Sequence, residues 1–222
     1  MNLNRLEILI GKENLEKVKN LNILIVGLGG VGGYALETLI RCGIRNITII
    51  DYDKVDETNL NRQILTNINN IGKYKTDIAL ERALNINKNI NITKITEYLI
   101  KDNFNLITNK NFDYIVDACD SIEAKELLIN YSIKNKIKII SSMGTAKKMD
   151  ASKLSITTLD KTSYDPLAKL LRKKINKSNQ RKVKVISSTE KPKDIKSLGS
   201  NSYVPACAGI LITNYIINDV LK

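Results

Sequence analysis

Histidine and tryptophan are absent from this chain of 222 residues, and cysteine is scarce. The lack of histidine excludes Ser-His-Asp and Cys-His catalysis and every histidine-ligated metal site. The three cysteines, Cys42, Cys119 and Cys207, lie far apart and include no C-x-x-C pair, which excludes a structural zinc of the usual type. We expect the cysteines to serve packing, and a role of Cys207 in loop chemistry stays open.

The sequence shows no signal peptide and no membrane-spanning stretch. Residues Met1–Asn22 are polar and amphipathic. The longest apolar run, Ala206–Ile217, is interrupted by Thr213 and Asn214 and is too short to cross a bilayer. We therefore expect a cytoplasmic protein with a buried terminal helix. Peripheral attachment to a membrane through that helix is the alternative.

Anionic side chains are in the minority, because 23 Asp and Glu face 35 Lys and Arg, for a formal net charge of +12. Such an excess favours polyanionic partners such as RNA. The alternative is a general bias toward Lys, Asn and Ile, in which the cations are only solvated. The densest basic cluster comprises Arg172, Lys173, Lys174, Lys177, Arg181, Lys182 and Lys184, and a second comprises Lys191, Lys193 and Lys196.

The chain alternates apolar strands with amphipathic helices. Strands are predicted at residues 23–26, 46–50, 92–97, 114–117 and 137–141, and helices at residues 31–42, 74–85 and 122–135. This order predicts βαβ units in a mostly parallel, doubly wound α/β sheet of the Rossmann type. After Gly144 we expect added antiparallel strands at 153–159 and 182–187 around a helix opened by Pro166, and then a crossing loop at 188–201. No convincing boundary occurs, so we expect a single ATP-binding domain over residues 1–222.

A glycine turn joins the first predicted strand to the first helix. Gly27, Gly29 and Gly32 form the pattern G-x-G-x-x-G. The first glycine allows the tight turn, the second lets the backbone approach a phosphate, and the third lets the helix pack on the strand. The helix N-terminus favours an anion, so we expect the amides of Gly29 and Gly30 near phosphates. Asp51, at the end of the second strand, stands where such folds bind ribose hydroxyls.

Two cations after Asp51 help to identify the ligand. Arg62 and Lys75 follow the second strand, at the edge where open α/β sheets bind ligands, and Asn59 and Gln63 accompany them. Arg offers a planar fork to phosphate oxygens, and Lys offers a point charge. An NAD-dependent redox enzyme needs no such pair, and no proton-transfer histidine is present. The pattern favours a triphosphate over NAD, with ordinary surface cations as the alternative.

In this order the motifs resemble the ubiquitin-activating-type superfamily, whose bacterial members adenylate a carboxylate. The segments that carry this resemblance are Gly27–Gly33, Asp51–Asp53, Asn59–Gln63 and Lys75. Further segments are similar to the tRNA threonylcarbamoyladenosine dehydratase branch, namely the opening around Arg5, Ser142–Asp150, Tyr164–Lys169 and Tyr203–Gly209. The resemblance covers nearly the whole chain.

The resemblance implies ATP and Mg²⁺ as cofactors and tRNA as the partner. Arg62 and Lys75 would stabilise phosphate charge while the threonyl carboxylate of N6-threonylcarbamoyladenosine, at tRNA position 37, is adenylated. The carbamoyl oxygen would then close the ring to the cyclic nucleoside and release AMP. Asn59 would position a phosphate or its own loop. Arg5 would reach the active site of the partner subunit in a homodimer.

Asp120 follows the fourth predicted strand, and the resemblance assigns it to Mg²⁺ between the phosphates. Its alternative role is to cap the following helix. Asp117 lies nearer the strand, and we expect it to be structural and to cap backbone amides. With the resemblance, we expect RNA contacts at Arg172, Lys173, Lys174, Arg181 and Lys182.

Two other functions stay open. The first is an adenylyltransferase for a ubiquitin-like sulfur carrier, which predicts a partner protein that ends in Gly-Gly. The second is a non-catalytic RNA-binding or scaffold protein, which would tolerate Arg62→Ala and Lys75→Ala without loss of function.

Overall fold

The computed structural model describes all 222 residues. Its seven strands are β1 (Asn22–Val26), β2 (Asn46–Ile50), β3 (Asn91–Ile95), β4 (Tyr114–Asp117), β5 (Lys138–Ser142), β6 (Leu154–Thr158) and β7 (Lys184–Ser188). Its nine α-helices are α1 (Asn4–Ile10), α2 (Lys12–Lys19), α3 (Gly32–Arg41), α4 (Lys75–Ile86), α5 (Asn105–Thr108), α6 (Ile122–Asn135), α7 (Pro166–Lys174), α8 (Lys177–Gln180) and α9 (Tyr203–Val220).

All strands belong to one sheet of order β3-β2-β1-β4-β5-β7-β6. Every neighbouring pair is parallel except β6 and β7. The predicted fold class is therefore confirmed. The C-terminal part contributes a single antiparallel pair, because β7 itself runs parallel to β5.

The central strand β1 is apolar along its length because both of its faces are covered. Ile23 and Ile25 pack in a core that includes residues of α3, α4 and α9, whereas Leu24 and Val26 pack in a second core with residues of α6 and α7. Helices therefore cover both faces, as a doubly wound sheet requires.

Local sequence signals set several helix ends. Pro166 is the first residue of α7, as predicted, and the Asp165 carboxylate caps it by accepting from the Ala168 amide at 3.0 Å. The patterning does not predict α5 and α8, since four residues each are too few to display a helical period.

The apolar run near the end of the sequence forms most of α9, as predicted. Val204, Ala208, Ile212 and Ile216 of this helix are fully buried against the core. None of the helices combines the length and the apolar character that a membrane span requires.

Candidate active site

A cavity of about 780 Å³ opens where β1, β2, β4 and β5 end. It lies at the switch point of the sheet, where the strand order reverses between β1 and β4 and where open α/β sheets bind ligands. The predicted site residues that line it are Gly27, Gly29, Gly30, Asp51, Asn59, Arg62, Lys75 and Asp120. Two other predicted residues, Gly32 and Arg5, do not line the cavity.

The glycine turn brings β1, α3 and the end of β4 into close approach. Gly27 has a φ of +91°, and a Cβ there would lie 2.7 Å from the Ala118 carbonyl oxygen. A Cβ on Gly32 would lie 1.8 Å from the Gly27 carbonyl oxygen. Gly32 therefore does not face the cavity. Its missing side chain allows α3 to begin in direct contact with the glycine turn. No side chain caps this end of α3, whose N-terminus can thus favour an anion.

Asp51 ties the end of β2 to the glycine turn. One carboxylate oxygen accepts from the Leu28 amide at 2.6 Å, and the other accepts from the Asp53 amide at 2.8 Å. Burial raises the pKa of Asp51, while the Lys75 ammonium and these two amides act in the opposite direction. Asp51 lines the cavity and each of its oxygens retains a further lone pair, so it can still accept a hydrogen bond from a ribose hydroxyl.

The two predicted cations occupy the same side of the cavity. Lys75, 4% exposed, places its Nζ 2.7 Å from an oxygen of Asp53. Arg62 donates from Nη1 to the Thr58 carbonyl at 2.7 Å and to the Asn61 side chain at 3.0 Å. Arg62 therefore contacts no carboxylate. Lys75 contacts the carboxylate of Asp53, which a phosphate could replace.

Asn59 holds the start of the loop that carries Arg62. The side-chain oxygen of Asn59 accepts from the Asp56 amide at 3.2 Å, and Asn59 is 9% exposed. Gln63 lines the cavity, and its buried Oε1 has no hydrogen-bond partner. The motif Asn59–Gln63 includes this residue, but the sequence pattern predicts no role for it.

A buried ion pair lies directly beneath the Asp120 loop. The Lys125 ammonium lies 3.0 and 3.1 Å from the two oxygens of Asp117 and also donates to the Ser142 carbonyl at 2.8 Å. Asp117 is therefore structural, as expected, but its main partner is Lys125 rather than a set of backbone amides. Ser121 and not Asp120 caps α6, by accepting from the Ala124 amide at 3.2 Å. This leaves the Asp120 carboxylate free of the alternative capping role.

A second buried pair shapes the opposite wall. Lys148 donates to the Gly144 carbonyl at 2.8 Å and lies 3.3 Å from Asp165. Both side chains are buried, and the sequence pattern predicts a role for neither. The pair anchors residues 143–147, and four of these residues, 143–146, line the cavity.

Cys119 also lines the cavity, whereas Cys42 and Cys207 do not. Its thiol donates to Asp117 at 3.1 Å. Burial raises the pKa of the Cys119 thiol well above its usual range, and the Asp117 carboxylate adds to the effect. A thiol of this kind is unreactive, which agrees with a packing role.

Arg5 lies far from this cavity within the same chain. It is exposed on α1, and that helix contributes Asn4 and Glu7 to a depression whose other walls include Gly43 and Asn89, just before β2 and β3. This is the amino edge of the sheet, opposite to the cavity. The prediction that Arg5 serves the partner subunit stays a prediction.

The basic cluster of α7 and α8 is partly engaged within the chain. Arg172 is half-buried and donates to the carbonyl and the hydroxyl of Thr162. Lys174 pairs with Glu126 at 2.7 Å. Arg181 lies 3.9 Å from a carboxylate oxygen of Asp160. Lys173 and Lys182 are exposed. RNA binding by the five predicted residues of this cluster stays a prediction, and three of these five cations already contact groups of the chain.

A phosphate-binding turn, an acid at the ribose position and two convergent cations at the switch point define an α/β nucleotide-binding protein of the adenylating kind. A sequence profile of the ThiF family matches residues 3–216, and the chain belongs to this family.

Named relatives refine this assignment. The tRNA threonylcarbamoyladenosine dehydratase of Bacillus subtilis is 35% identical over 98% of this chain and 94% of its own length. Its Escherichia coli counterpart is 37% identical over 75% of this chain and 62% of its own length. The crystal structure of the E. coli tRNA N6-threonylcarbamoyladenosine dehydratase in complex with ATP superposes with a TM-score of 0.94 at 31% identity, over 99% of this chain and 93% of that one. The family resemblance predicted from the motifs is confirmed.

Proposed function

We propose that this chain is an ATP-dependent dehydratase that acts on tRNA carrying N6-threonylcarbamoyladenosine at position 37. The observation that carries the proposal is the convergence of the glycine turn, Arg62, Lys75 and Asp120 on one cavity. The similarity to the B. subtilis and E. coli dehydratases over nearly the whole chain supports the choice of substrate. The ATP complex of the E. coli relative supports ATP as the co-substrate.

ATP would lie along the glycine turn, with its ribose near Asp51 and its triphosphate toward Arg62 and Lys75. Because Lys75 is almost fully buried, its ammonium cannot simply turn to solvent. We expect a phosphate to take over part of its interaction with Asp53, whose side chain is 42% exposed and can rehydrate.

The proposed reaction has two steps. An oxygen of the threonyl carboxylate attacks the α-phosphorus of ATP, the bond to the bridging oxygen breaks, and pyrophosphate leaves. The carbamoyl oxygen then attacks the activated acyl carbon, AMP leaves with the former carboxylate oxygen, and a carbamoyl N–H proton is released to solvent. The nucleoside thus loses the elements of one water. Since the second attack is intramolecular, proximity supplies much of its rate, and no histidine base or covalent enzyme intermediate is required.

Charge stabilisation is the main task of the side chains in the first step. Negative charge accumulates on the transferring and leaving phosphate oxygens, in a cavity where Arg62 and Lys75 are held before the substrate arrives. Cations that are already oriented lower the barrier because they need no reorganisation during the reaction.

Asp120 is the candidate ligand for Mg²⁺. Its carboxylate lines the cavity, and the fold contains no cluster of three or more Cys, Asp or Glu side chains that could cage a metal. Mg²⁺ commonly binds one or two carboxylates and takes its other ligands from phosphate oxygens and water, so Asp120 fits such a site. The bound ion would neutralise part of the triphosphate charge.

We further propose that the functional unit is a homodimer in which Arg5 completes the partner's site. On the same helix Ile8 and Leu9 are 85% and 80% exposed, which supports burial of α1 against another surface. A mixture of Arg5→Ala and Lys75→Ala chains tests this, because a heterodimer would then contain one intact site. Recovered activity supports action across subunits, whereas no recovery from co-refolded chains contradicts it.

Nucleoside mass spectrometry tests the proposed activity. Modified tRNA incubated with the protein, ATP and Mg²⁺ should yield a nucleoside lighter by one water, and only when ATP is present. Arg62→Ala and Lys75→Ala should abolish the product, whereas Lys73→Ala, at a neighbouring exposed lysine, should not. A folded protein that binds ATP and leaves the nucleoside unchanged would contradict the proposal. A ubiquitin-like sulfur carrier ending in Gly-Gly would then be the next carboxylate to assay.

A further inference from the structure

Residues 189–201, which we call the strap, connect β7 to α9 and follow the rim of the cavity. Leu198, Gly199 and Ser200 of the strap line the cavity itself. The strap and the 143–147 loop therefore border the same cavity.

Hydrogen bonds fix the path of the strap. Near its start, the Glu190 carboxylate accepts from the amides of Met149 at 3.0 Å and Asp150 at 2.9 Å. In its middle, the Lys193 amide donates to the Lys147 carbonyl at 2.8 Å, and the Lys147 amide donates to the Gly199 carbonyl at 2.8 Å. These hydrogen bonds attach the strap to residues 147–150, so it forms a defined part of the cavity wall.

The other end of the strap is equally well anchored. The Asn201 side chain donates to the Lys148 carbonyl at 2.7 Å, and Asn61 of the Arg62 loop donates to the Ser200 carbonyl at 3.3 Å. The strap consequently contacts the loops on both sides of the cavity mouth.

The outward side of the strap combines positive charge with exposed apolar groups. Lys191, Lys193 and Lys196 are exposed, in contrast to the cations of α7 and α8 that pair with carboxylates. Leu198 is 83% exposed and Ile195 is 45% exposed. An exposed leucine among lysines is unfavourable in water and becomes favourable against a nucleobase or a ribose face.

The geometry of the proposed reaction points to the same surface. In the proposed reaction the modified nucleoside enters the cavity, and its flanking phosphates would lie at the rim. Single-stranded RNA is bound by cations along its backbone and by apolar or aromatic groups that pack on its bases. The strap contributes three residues to the cavity lining, whereas α7 contributes only Leu167 and α8 contributes none, so we place the strap lysines, rather than the cations of α7 and α8, beside these phosphates.

We propose that the strap is the RNA-contacting surface of this protein, with its three lysines on the backbone phosphates and Leu198 against a neighbouring base. The inference rests on the proposed function, because it takes the substrate to be a single-stranded loop of tRNA. The proposal moves the predicted RNA contact from the basic cluster of α7 and α8 to residues 189–201.

The test measures tRNA affinity as a function of salt concentration. Lys193→Gln with Lys196→Gln should weaken binding and reduce the slope of log K against log salt by about 1.4, since each contact to a single strand contributes about 0.7. Leu198→Ala should weaken binding without a change in slope. A control with the same loss of charge, Lys88→Gln with Lys134→Gln, removes two exposed lysines remote from the cavity and should leave the slope unchanged.

Affinity for ATP, measured in the absence of RNA, should be the same in all the lysine variants. The inference is overturned if wild-type protein binds tRNA and the strap variant keeps its affinity and slope, with the loss appearing instead in Lys173→Gln with Lys182→Gln. Failure of the wild-type protein to bind tRNA would overturn the proposed function together with the inference. Tight binding of an acidic carrier protein through the same lysines, without RNA binding, would also refute it.

Discussion

Removing one partner of the buried ion pair between Lys125 and Asp117, next to the candidate site, is predicted to cause a large loss of folding stability. Both side chains are fully buried, and the ammonium contacts both carboxylate oxygens, the Ser141 hydroxyl at 3.2 Å and the Ser142 carbonyl. The substitution Lys125→Met keeps an apolar side chain of similar length but removes the ammonium. The Asp117 carboxylate then has no counter-charge although it is shielded from water. Breaking a buried pair from one side costs about 3–5 kcal/mol. For a protein of this size that lowers Tm by roughly 10 °C.

Urea unfolding followed by far-UV circular dichroism is the appropriate assay, because the chain has no tryptophan. Lys134→Met, at an exposed position of the same helix, should change stability by no more than about 0.5 kcal/mol. The double variant Asp117→Leu with Lys125→Met should be at least about 2 kcal/mol more stable than the sum of the two single losses predicts. A loss below about 1 kcal/mol in Lys125→Met, or strict additivity, would refute the reasoning.

Three further predictions concern other parts of the fold. Gly32→Ala should cost about 3 kcal/mol or more, because its Cβ would lie 1.8 Å from the Gly27 carbonyl oxygen, whereas Gly29→Ala, whose Cβ would meet nothing closer than 4.0 Å, should leave urea stability nearly unchanged. Although burial favours the neutral acid, two arginine partners hold the pKa of Glu37 below its usual range. Its contribution to stability is therefore present above the ordinary glutamate pKa and is lost as pH falls through the folded pKa, so Glu37→Gln should flatten the acid limb of the stability curve. Because burial raises the pKa of the Cys119 thiol, iodoacetamide at pH 8 should spare it in the folded protein and label it in urea, as read by peptide mass spectrometry. Labelling in the folded protein would contradict the raised pKa.

Patterning predicted the parallel core well because its signals are local. The predicted strand at 46–50 coincides with β2, and the predicted helix at 122–135 coincides with α6. An apolar run covered on both faces, a glycine turn and a proline at a helix start each report on neighbouring residues only. The order of these elements then limits the topology to a right-handed, doubly wound sheet.

The site residues that follow the ends of strands could be predicted from the sequence. Asp51, Asn59, Arg62 and Asp120 directly follow strands or lie in the loop after one, so parallel strands bring them to one edge. Lys75 reaches the same cavity as the first residue of α4. Their roles toward ATP and Mg²⁺ remain proposals that the experiments above test.

The sequence by itself determined the elements, their order and the polar groups that converge where the strands end. Only the tertiary structure decided which charges are paired between different elements, because those partners are brought together by the fold and not by the spacing within one helix. In the folded chain Lys148 pairs with Asp165, and Arg172 donates hydrogen bonds to Thr162. Arg5 lies at the edge of the sheet opposite the cavity. The tertiary structure also laid the strap along the cavity rim, through hydrogen bonds to loops that precede it by dozens of residues. Composition shows how many cations a chain has, whereas the fold decides which of them remain free to meet a ligand.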